Sequence, residues 1–505
     1  MSHWLILPVL LPLLCGALLI TWYQASMNVQ RLLSILSCLG LTLLGIYAVA
    51  QSGQGGYTLY YLGNWEAPYG ITLVLDRLSA LMLLVTAGLS LCCVLYACRT
   101  ADRRGAHFHP LFQFQLAGIN GAFLTGDMFN LFVFFEILLI ASYALLLHGG
   151  GRARSRAGLH YVIINLVGSA LFILAVGTLY GLTGTLNMAD MARIIAESPE
   201  EKQPLITSAG LLLLVVFGIK AAVLPLLFWL PRAYSAATAP VAALFAIMTK
   251  VGIYAIIRVF LLVFGAGDDP IFPWVWVWLW PLALVTLVLG GIGVLGSASL
   301  RTMTAYLVII SVGVLLAAIT LPGEETLAAT LFYLIHSTIL AAVFFLIADL
   351  VGRQREEGYD RFYITSPVGY RWLLGGLFFI AAIGMVGLPP FSGFISKAWL
   401  LQSAAGAPGG VLLWGGMIGA SFLVLMAVSR AGSGWFWKPE PIAAPLWPLD
   451  KVCFSIVAVM LALSLSLAIW ANPVMGYLLD AAAQLRDPNG YIEAVLGGLS
   501  AGGVL

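Results

Sequence analysis

Long apolar runs follow one another along almost the whole chain, separated by short polar stretches. A helix needs about 20 apolar residues to cross the ~30 Å hydrocarbon layer of a bilayer, and these runs have that length. The pattern predicts fourteen spans, near residues 3–22, 28–50, 71–98, 110–126, 128–148, 158–182, 205–231, 238–264, 273–297, 300–321, 326–350, 371–402, 409–430 and 451–471. The region from 110 to 148 is too long for one span, and we divide it at Gly126 and Asp127.

The composition agrees with an all-α polytopic membrane protein. Of 505 residues, 61% are hydrophobic and 9% are charged, against about 25% charged in ordinary soluble domains. The net charge of +2 and the absence of a long basic run give no indication of nucleic-acid binding. The first apolar run has no basic start or small-residue cleavage site, so it is predicted to be a retained span. The six cysteines have no metal-ligand spacing, and we expect no metal site and no cofactor.

The arginines predict the orientation of the spans. Sixteen of the twenty-four basic residues belong to the odd-numbered connections and their flanks, namely Arg31, Arg99, Arg103, Arg104, Arg152, Arg154, Arg156, Arg232, Arg301, Arg353, Arg355, Arg361, Arg371, Arg430, Lys438 and Lys451. The even-numbered connections hold mainly acids, such as Glu66, Asp268, Asp269, Glu324 and Glu325. The positive-inside rule then places the odd connections in the cytoplasm and both termini outside. After Trp470 we expect a short interfacial segment.

Five ionisable residues fall near the middle of predicted spans: Glu136, Lys220, Lys250, His336 and Lys397. A charge at the bilayer centre costs at least ~2.5 kcal/mol and marks a functional site by default. Three of the six lysines in the chain belong to this set, although lysines in loops cost nothing. Burial lowers the pKa of a lysine and raises the pKa of a carboxylate, so that both move towards neutral pH. An opposite charge nearby reverses each shift. A glutamate–lysine pair can therefore act as a proton switch, and histidine can relay protons in either direction.

Two predicted spans are interrupted. Pro225 and Pro231 fall near Lys220, and Pro389 and Pro390 precede Lys397. Proline removes a backbone donor, and broken helices persist at membrane depth only where protein or a wet cavity surrounds them. Paired interruptions in two halves are typical of transporters built from inverted repeats. The sequence predicts an N-terminal segment at 1–109, five-helix repeats at 110–264 and 273–430, and a final span with its tail at 431–505.

Three stretches resemble a known family. They are TGDMFNLFVFFEILLIASYALL (125–146), FGIKAAVLPLLFWLPRAYSAATAPVAALFAIMTKVGIYAIIR (217–258) and GLPPFSGFISKAWLL (387–401). They are similar to the antiporter-like subunits shared by respiratory complex I and the multisubunit Mrp cation/proton antiporters, and most similar to the MrpD members of the latter. The resemblance extends over nearly the whole chain.

The resemblance implies a role for each deep charge. Glu136 and Lys220 would be the acid and base of a first half-channel, with Lys250 as the next relay. Lys397 would serve the second half-channel, and His336 would lie between the two. The implied path starts on the cytoplasmic side near Lys220 and Lys250, crosses by water and His336, and leaves by Lys397.

The resemblance also implies a cellular location and partner subunits. The protein would be a multi-pass component of a bacterial plasma-membrane Na⁺/H⁺ antiporter, with the Mrp A, B, C, E, F and G subunits as partners and no enzymatic activity of its own. Glu136 is the one evident anionic ligand at depth, and hard cations require several oxygens. We therefore expect protons in this subunit and sodium, or another monovalent cation, elsewhere in the complex.

Two alternatives remain at this point. The chain could be a proton-pumping subunit of complex I or of a membrane hydrogenase, which has the same membrane chemistry and a redox partner. It could also be a scaffold in which the buried charges only fix helix packing, since buried polar groups can specify registry as well as function. The proteins that co-purify with it distinguish the first alternative, and substitutions at the deep charges distinguish the second.

The arginine distribution makes a topological prediction. In a background without the native cysteines, a cysteine at Ser155 should react with impermeant thiol reagents only from the cytoplasmic side. A cysteine at Gly55 should react only from outside. Labelling of intact cells and of inverted membrane vesicles measures both. The reverse pattern would contradict the orientation and invert the proposed path.

Overall fold

The computed structural model describes residues 2–266, 272–355, 359–362, 368–437 and 448–497. Within these ranges the chain is almost entirely helical. The acidic residues expected at 268 and 269, the basic residue at 438 and the end of the tail from 498 onwards lie outside the described residues.

The chain begins with two helices, α1 (Leu7–Thr21) and α2 (Met27–Ser52). A hairpin of β1 (Thr58–Tyr61) and β2 (Thr72–Leu75) follows, antiparallel, with Thr58 opposite Leu75. The next helices are α3 (Arg77–Thr100), α4 (Phe108–Leu124), α5 (Met128–Leu147), α6 (Arg152–Thr183), α7 (Met188–Ala196), α8 (Gln203–Ala221), α9 (Trp229–Ala236) and α10 (Ala239–Arg258).

The second half continues with α11 (Phe272–Gly296), α12 (Leu300–Ile319), α13 (Glu324–Gly352), α14 (Arg371–Val386), α15 (Ser392–Ser403), α16 (Gly410–Gly432) and α17 (Lys451–Ile469). The tail forms α18 (Ala471–Leu485) and α19 (Pro488–Leu496).

Among the described residues, twelve helices are long and apolar enough to cross a bilayer. The predicted count of fourteen is therefore not confirmed. The two remaining predicted spans correspond to α4, with 17 residues, and to α14, with 16 residues and α15 after it. The division at Gly126 and Asp127 is confirmed, because α4 ends before these residues and α5 begins after them.

Three elements were not predicted from the sequence. The start of the span expected at 71–98 is strand β2, which pairs with β1, and α7 lies in what was read as a connection. The tail, expected to be a short interfacial segment, forms α18 and α19, and Leu478 and Tyr491 are buried against the rest of the protein. Each of these short elements depends on contacts with distant helices, which hydropathy does not reveal.

The two predicted interruptions are present, and side chains satisfy their backbone groups. Between α8 and α9, the N–H of Leu224 donates to Thr286 Oγ1 (3.0 Å), and Trp229 Nε1 donates to the carbonyl of Ile219 (3.1 Å). Between α14 and α15, the carbonyl of Val386 accepts from Lys397 Nζ (2.7 Å). A helix end in apolar surroundings needs such partners, because water cannot supply them.

The helix ends collect on two faces. One face, here called the arginine face, carries the contacts Arg31–Asp102, Arg99–Asp450, Arg154–Ala236, Arg301–Asp349 and Arg430–Leu295. The other, here called the hairpin face, carries the contacts Asp76–Arg258, Arg77–Asp480, Gly56–Gln484, Leu73–Thr125 and Asp127–Asn187. The arginine-bearing connections that the sequence grouped together therefore meet at one face.

Helices α10, α12 and α13 form the centre of the protein. Every residue of α10 is buried, and so is every residue of α13 from Thr326 to Gly352 except the half-buried Ile339. Peripheral helices expose large apolar side chains, such as Leu43 on α2 and Val411 on α16. A protein that spans a membrane exposes such side chains to lipid or to partner subunits.

A glycine sets the approach of α10 to α8. A methyl group at Gly252 would lie 2.7 Å from the backbone nitrogen of Ala221, at the end of α8. Backbone cannot yield as a flexible side chain does, so only glycine fits at this distance. The contact holds the backbone around Lys250 against the residues next to Lys220.

Substitution of this glycine should loosen the centre of the protein. Gly252→Ala should lower the free energy of unfolding by about 1–3 kcal/mol, the usual cost of overpacking. Gly181→Ala on α6, where no atom lies within 4 Å of the added methyl group, should be neutral or slightly stabilising because alanine favours helix. Thermal unfolding of the purified protein in detergent measures both. Equal transition temperatures for Gly252→Ala and wild type would contradict the close approach.

Candidate functional site

The first group of deep charges lies between α5, α6 and α8. Glu136 on α5 accepts a hydrogen bond from Ser169 Oγ on α6. Ser169 Oγ also lies 3.1 Å from the carbonyl oxygen of Asn165, one turn earlier on α6. Lys220 Nζ reaches the same residue, at 3.5 Å from the carbonyl oxygen and 3.4 Å from Oδ1 of Asn165. Lys220 is buried, and its ammonium lies 6.0 Å from the ring centre of Phe135.

The sequence suggested a pair of Glu136 and Lys220. The structure brings the two residues together, but no direct ion pair joins them in the described part of the chain. Ser169 and Asn165 stand between them. The hydroxyl of Ser169 has one proton, which it can donate either to the Glu136 carboxylate or to the Asn165 carbonyl oxygen that Lys220 also approaches.

Lys250 is fully buried on α10. Its ammonium donates to Ser311 Oγ on α12 (2.9 Å), and Ser311 Oγ lies 2.7 Å from the carbonyl oxygen of Val308. An ammonium has three donors, and this one has one described protein partner. Lys250 thus has donors left for water or another group.

Lys397 lies on α15 and turns back to the end of α14. Its ammonium donates to the carbonyl oxygens of Met385 (3.2 Å) and Val386 (2.7 Å) and to Ser421 Oγ on α16 (2.9 Å). The last carbonyls of a helix have no intrahelical partner and carry a partial negative charge. The break in the helix therefore creates the oxygen cradle that holds this ammonium.

His336 lies on α13 beside the start of α15. Its Nδ1 is 2.9 Å from Ser392 Oγ, and Ser392 Oγ is 2.8 Å from Ser464 Oγ on α17. A methyl group at Gly393 would lie 2.8 Å from His336 Cε1, so α15 can approach the ring only through glycine. The histidine is 1% exposed, so its exchange partners must be protein groups or enclosed water.

One small cavity lies beside His336 and Lys397. Its lining includes Ser311, Tyr333, His336, Lys397 and Ser421. Its volume of about 20 Å³ is enough for one or two water molecules, because a single water needs roughly 10–15 Å³ by this measure. The hydroxyl that accepts from Lys250 and the ammonium of Lys397 therefore border the same space as His336.

The prolines that marked the interruptions differ in position. Pro225 lies between α8 and α9, and Pro389 and Pro390 lie between α14 and α15. Pro231 is the third residue of α9, in the first turn, where a missing N–H leaves no helical hydrogen bond unmade. Three of the four prolines therefore lie within the breaks, and the fourth lies in the short helix that follows.

Sequence reasoning did not find the polar side chains that contact the deep charges. These are Asn165, Ser169, Ser311, Ser392 and Ser421, and Ser464 bonds in turn to Ser392. Serine is common in membrane helices and bonds readily to its own helix, so a single sequence gives no signal that selects these. Charges nearer the ends of predicted spans, among them Asp76 and Arg258, were also not singled out, because only charges near the middle of a span were selected.

One cluster has donor atoms suited to a metal. Cys98, Asp102 and His109 bring such atoms within 4.8 Å of one another at the arginine face. However, both oxygens of Asp102 accept from the guanidinium of Arg31, at 2.6 and 3.0 Å. The arginine satisfies the carboxylate and places a positive charge where the ion would bind. The cluster therefore fits a structural role, joining α2 to α4.

Comparison with known proteins shows the family. The family described as NADH:quinone oxidoreductase/Mrp antiporter, transmembrane, matches residues 125–423. A Rhizobium meliloti (strain 1021) protein, named as the D subunit of a probable K⁺/H⁺ antiporter, is 40% identical over 99% of this chain and 99% of its own length. The D subunit of the Na⁺/H⁺ antiporter of Bacillus subtilis (strain 168) is 38% identical over 98% of this chain and 100% of its own.

A solved structure extends the comparison to the fold. A chain in the structure of the Mrp complex from Dietzia sp. DQ12-45-1b superimposes with a TM-score of 0.89. The two are 27% identical, and the match covers 98% of this chain and 100% of that chain. The similarity therefore extends over almost the whole fold.

The link between Glu136 and Lys220 can be tested at Ser169. Ser169→Ala removes the hydroxyl between the carboxylate and Asn165, so transport that uses this link should fall severalfold. Ser169→Thr keeps the hydroxyl and should retain most of the activity. Thr178→Ala is the matched control, because Thr178 is half-buried on the same helix and bonds to the carbonyl of Leu174. Cation-dependent proton flux in membrane vesicles, normalised to protein amount, measures the effect. Full activity in Ser169→Ala would show that the hydroxyl is dispensable.

Proposed function

The chain belongs to the NADH:quinone oxidoreductase/Mrp antiporter family of membrane subunits, and from this premise we propose that it moves protons within a multisubunit monovalent cation/proton antiporter. The proposed carriers are Glu136, Lys220, Lys250, His336 and Lys397. Relatives similar over their full lengths are named as D subunits of Na⁺/H⁺ or K⁺/H⁺ antiporters. A similar chain occurs within an Mrp complex, which supports operation together with other subunits.

The cavity beside His336 is the main structural support for this proposal. A proton that crosses the protein must pass from one half to the other, and this cavity is bordered by Ser311 from the Lys250 side and by Lys397 from the other. Water in such a space can bridge groups that are too far apart for direct contact. Lys250, Ser311, water, His336 and Lys397 then form one chain of donors and acceptors.

The first half supplies the charge that controls this chain. Glu136 is held by Ser169, whose hydroxyl lies 3.1 Å from the Asn165 carbonyl oxygen that Lys220 also approaches. A proton on the carboxylate removes the negative charge that favours the ammonium, and its loss restores that charge. Lys220 and Lys250 lie on helices that touch at Gly252, so a change of charge at one lysine alters the electrostatic energy of the other.

The second half provides a place where the proton is held before release. The cradle around Lys397 consists of two helix-end carbonyls and one hydroxyl, all of which favour the charged ammonium. The same ammonium borders the cavity with His336. Lys397 can thus receive a proton from the cavity side and hold it at the end of α14.

The positive-inside rule supports a location for the two faces. We place the arginine face in the cytoplasm and the hairpin face, with both described ends of the chain, outside the plasma membrane. We further propose that components corresponding to Mrp A, B, C, E, F and G complete the complex, and that the Na⁺ or other cation crosses elsewhere in it. The exposed apolar side chains of the peripheral helices are suited to contact with lipid and with such components.

A redox partner is the principal alternative. The matching family includes NADH:quinone oxidoreductase subunits as well as Mrp subunits. The full-length relatives, which are named as antiporter components, favour the antiporter assembly. Identification of the proteins that co-purify with the chain separates the two, because a redox complex would bring subunits that carry flavin or iron–sulfur centres.

Substitutions at Glu136 and Lys220 test the proton path. Glu136→Gln keeps the shape and removes the charge, so cation-driven proton flux should fall by roughly 10²-fold, a typical effect of losing a proton-transfer group, while assembly survives. Lys220→Ala should give a similar loss. Because the two residues act as one unit, the double variant should be no worse than either single variant. Flux in inverted vesicles and the amount of assembled complex are both measured.

The scaffold alternative gives a different result. Removing one member of a buried charged set costs ~3–5 kcal/mol when the other charge is stranded, so a scaffold role predicts loss of assembled complex in the single variants. Normal flux in a fully assembled Glu136→Gln complex would refute the proposed proton path.

A further inference from the structure

A second polar column leaves Lys250 in the direction of the hairpin face. It lies on α10, where Tyr254 follows Lys250 by one helical turn and Arg258 follows Tyr254 by another. Eight residues at 1.5 Å each separate the Cα atoms of Lys250 and Arg258 by about 12 Å. Every residue of α10 is buried, so this end of the helix is the direct line from Lys250 to the hairpin face.

A buried ion pair ends the column. Arg258 Nη2 lies 2.6 Å from Asp76 Oδ2, and the two side chains are 6% and 2% exposed. Arg258 Nε donates to the hydroxyl of Tyr254 (3.2 Å), which donates to the carbonyl of Phe123 (2.6 Å). These bonds fix the guanidinium across the end of α10.

The tail of the chain covers this pair. The guanidinium carbon of Arg258 lies 5.5 Å from the ring centre of Tyr491 on α19 and 5.4 Å from that of Tyr254. Beyond Arg258, a cavity with room for about one water molecule, about 10 Å³, is lined by Gln484, Asp487 and Tyr491. Asp487 is exposed. Polar groups therefore lead from the surface as far as Arg258.

The chemistry of arginine decides what such a group does in a proton path. A guanidinium keeps its proton under all ordinary conditions, so it cannot relay one. Asp76 holds this guanidinium in place, and Tyr491 limits the access of water.

We propose that the Asp76–Arg258 pair, covered by Tyr491, is a plug that separates Lys250 from the aqueous phase at the hairpin face. This rests on the proposed role of Lys250 in proton transfer. The plug makes protons that reach Lys250 continue towards His336 and Lys397. Without it, they would escape at the end of α10 without exchange for a cation. Arg258 and Asp76 are therefore positioning residues, and neither one carries the transported proton.

Two substitutions open the plug in different ways. Arg258→Gln removes the fixed charge. Asp76→Asn keeps the N-cap of α3, where Asp76 Oδ1 accepts from the N–H of Ser79 (2.9 Å), because asparagine caps a helix as well as aspartate. Arg258→Lys retains a positive charge but introduces an ammonium that can release its proton, so it tests whether the plug requires a group that cannot titrate. Tyr491→Ala removes the cover alone.

The readout is the decay of an imposed pH gradient in inverted vesicles that contain the whole complex, in the absence of Na⁺ and K⁺. Arg258→Gln and Asp76→Asn should accelerate this cation-independent decay severalfold at an equal amount of assembled complex. Tyr491→Ala should have a smaller effect, and Arg258→Lys should also accelerate the decay, because a buried lysine can pass on a proton. Adding Lys250→Met to Arg258→Gln should abolish the extra decay, because the escaping proton passes through Lys250.

Each other outcome contradicts the plug. Unchanged decay in assembled Arg258→Gln and Asp76→Asn complexes, or extra decay that persists with Lys250→Met, would refute it. Loss of assembly in both variants would show that the pair only braces α3 against α10. Failure of the proposed function is distinguishable, because it would appear as normal cation-driven flux in the Glu136→Gln and Lys250→Met single variants, which leave the plug intact.

Discussion

The lack of water in the interior is the constraint on which this structure depends. A backbone carbonyl or an ammonium that is removed from water must find a partner within the protein, or it costs several kcal/mol. The broken helices and the buried lysines satisfy this requirement together. At the end of α14, two helix-end carbonyls and the ammonium of Lys397 offset each other's cost. The break would be unfavourable without the lysine, and the lysine would be unfavourable without the break.

The same constraint explains why the two halves look different in sequence. Lys220 precedes the interruption of its span, and Lys397 follows the interruption of the other. In the structure both lie at the C-terminal end of the first helical segment, Lys220 in the last turn of α8 and Lys397 folded back to α14. The partial negative charge at a helix C-terminus favours an ammonium whichever segment carries it. The correspondence between the halves is therefore spatial, and the order along the chain does not reveal it.

An ion pair lies at each end of the central helices α10 and α13, and helix α3 runs from one pair to the other. Asp76, at the start of α3, pairs with Arg258 at the end of α10. Tyr96, near the other end of α3, donates to Asp349 on α13 (3.0 Å), which also pairs with Arg353 (2.7 Å). The buried side chains of Lys250 and His336 lie between these ends.

The sequence by itself determined the membrane class, the position of most spans and the five deep charges, because hydropathy and the cost of a buried charge are properties of residues and their spacing. It also located both interruptions, since proline marks them regardless of context. Only the tertiary structure decided that Ser169 and Asn165 separate Glu136 from Lys220, and that Ser311, His336 and Lys397 border one cavity. The tertiary structure also decided that the hairpin, α7 and the tail helices form. These features depend on which faces of distant helices pack together. The partners of a hydroxyl or of a short polar element are set by that packing and cannot be read from the local sequence.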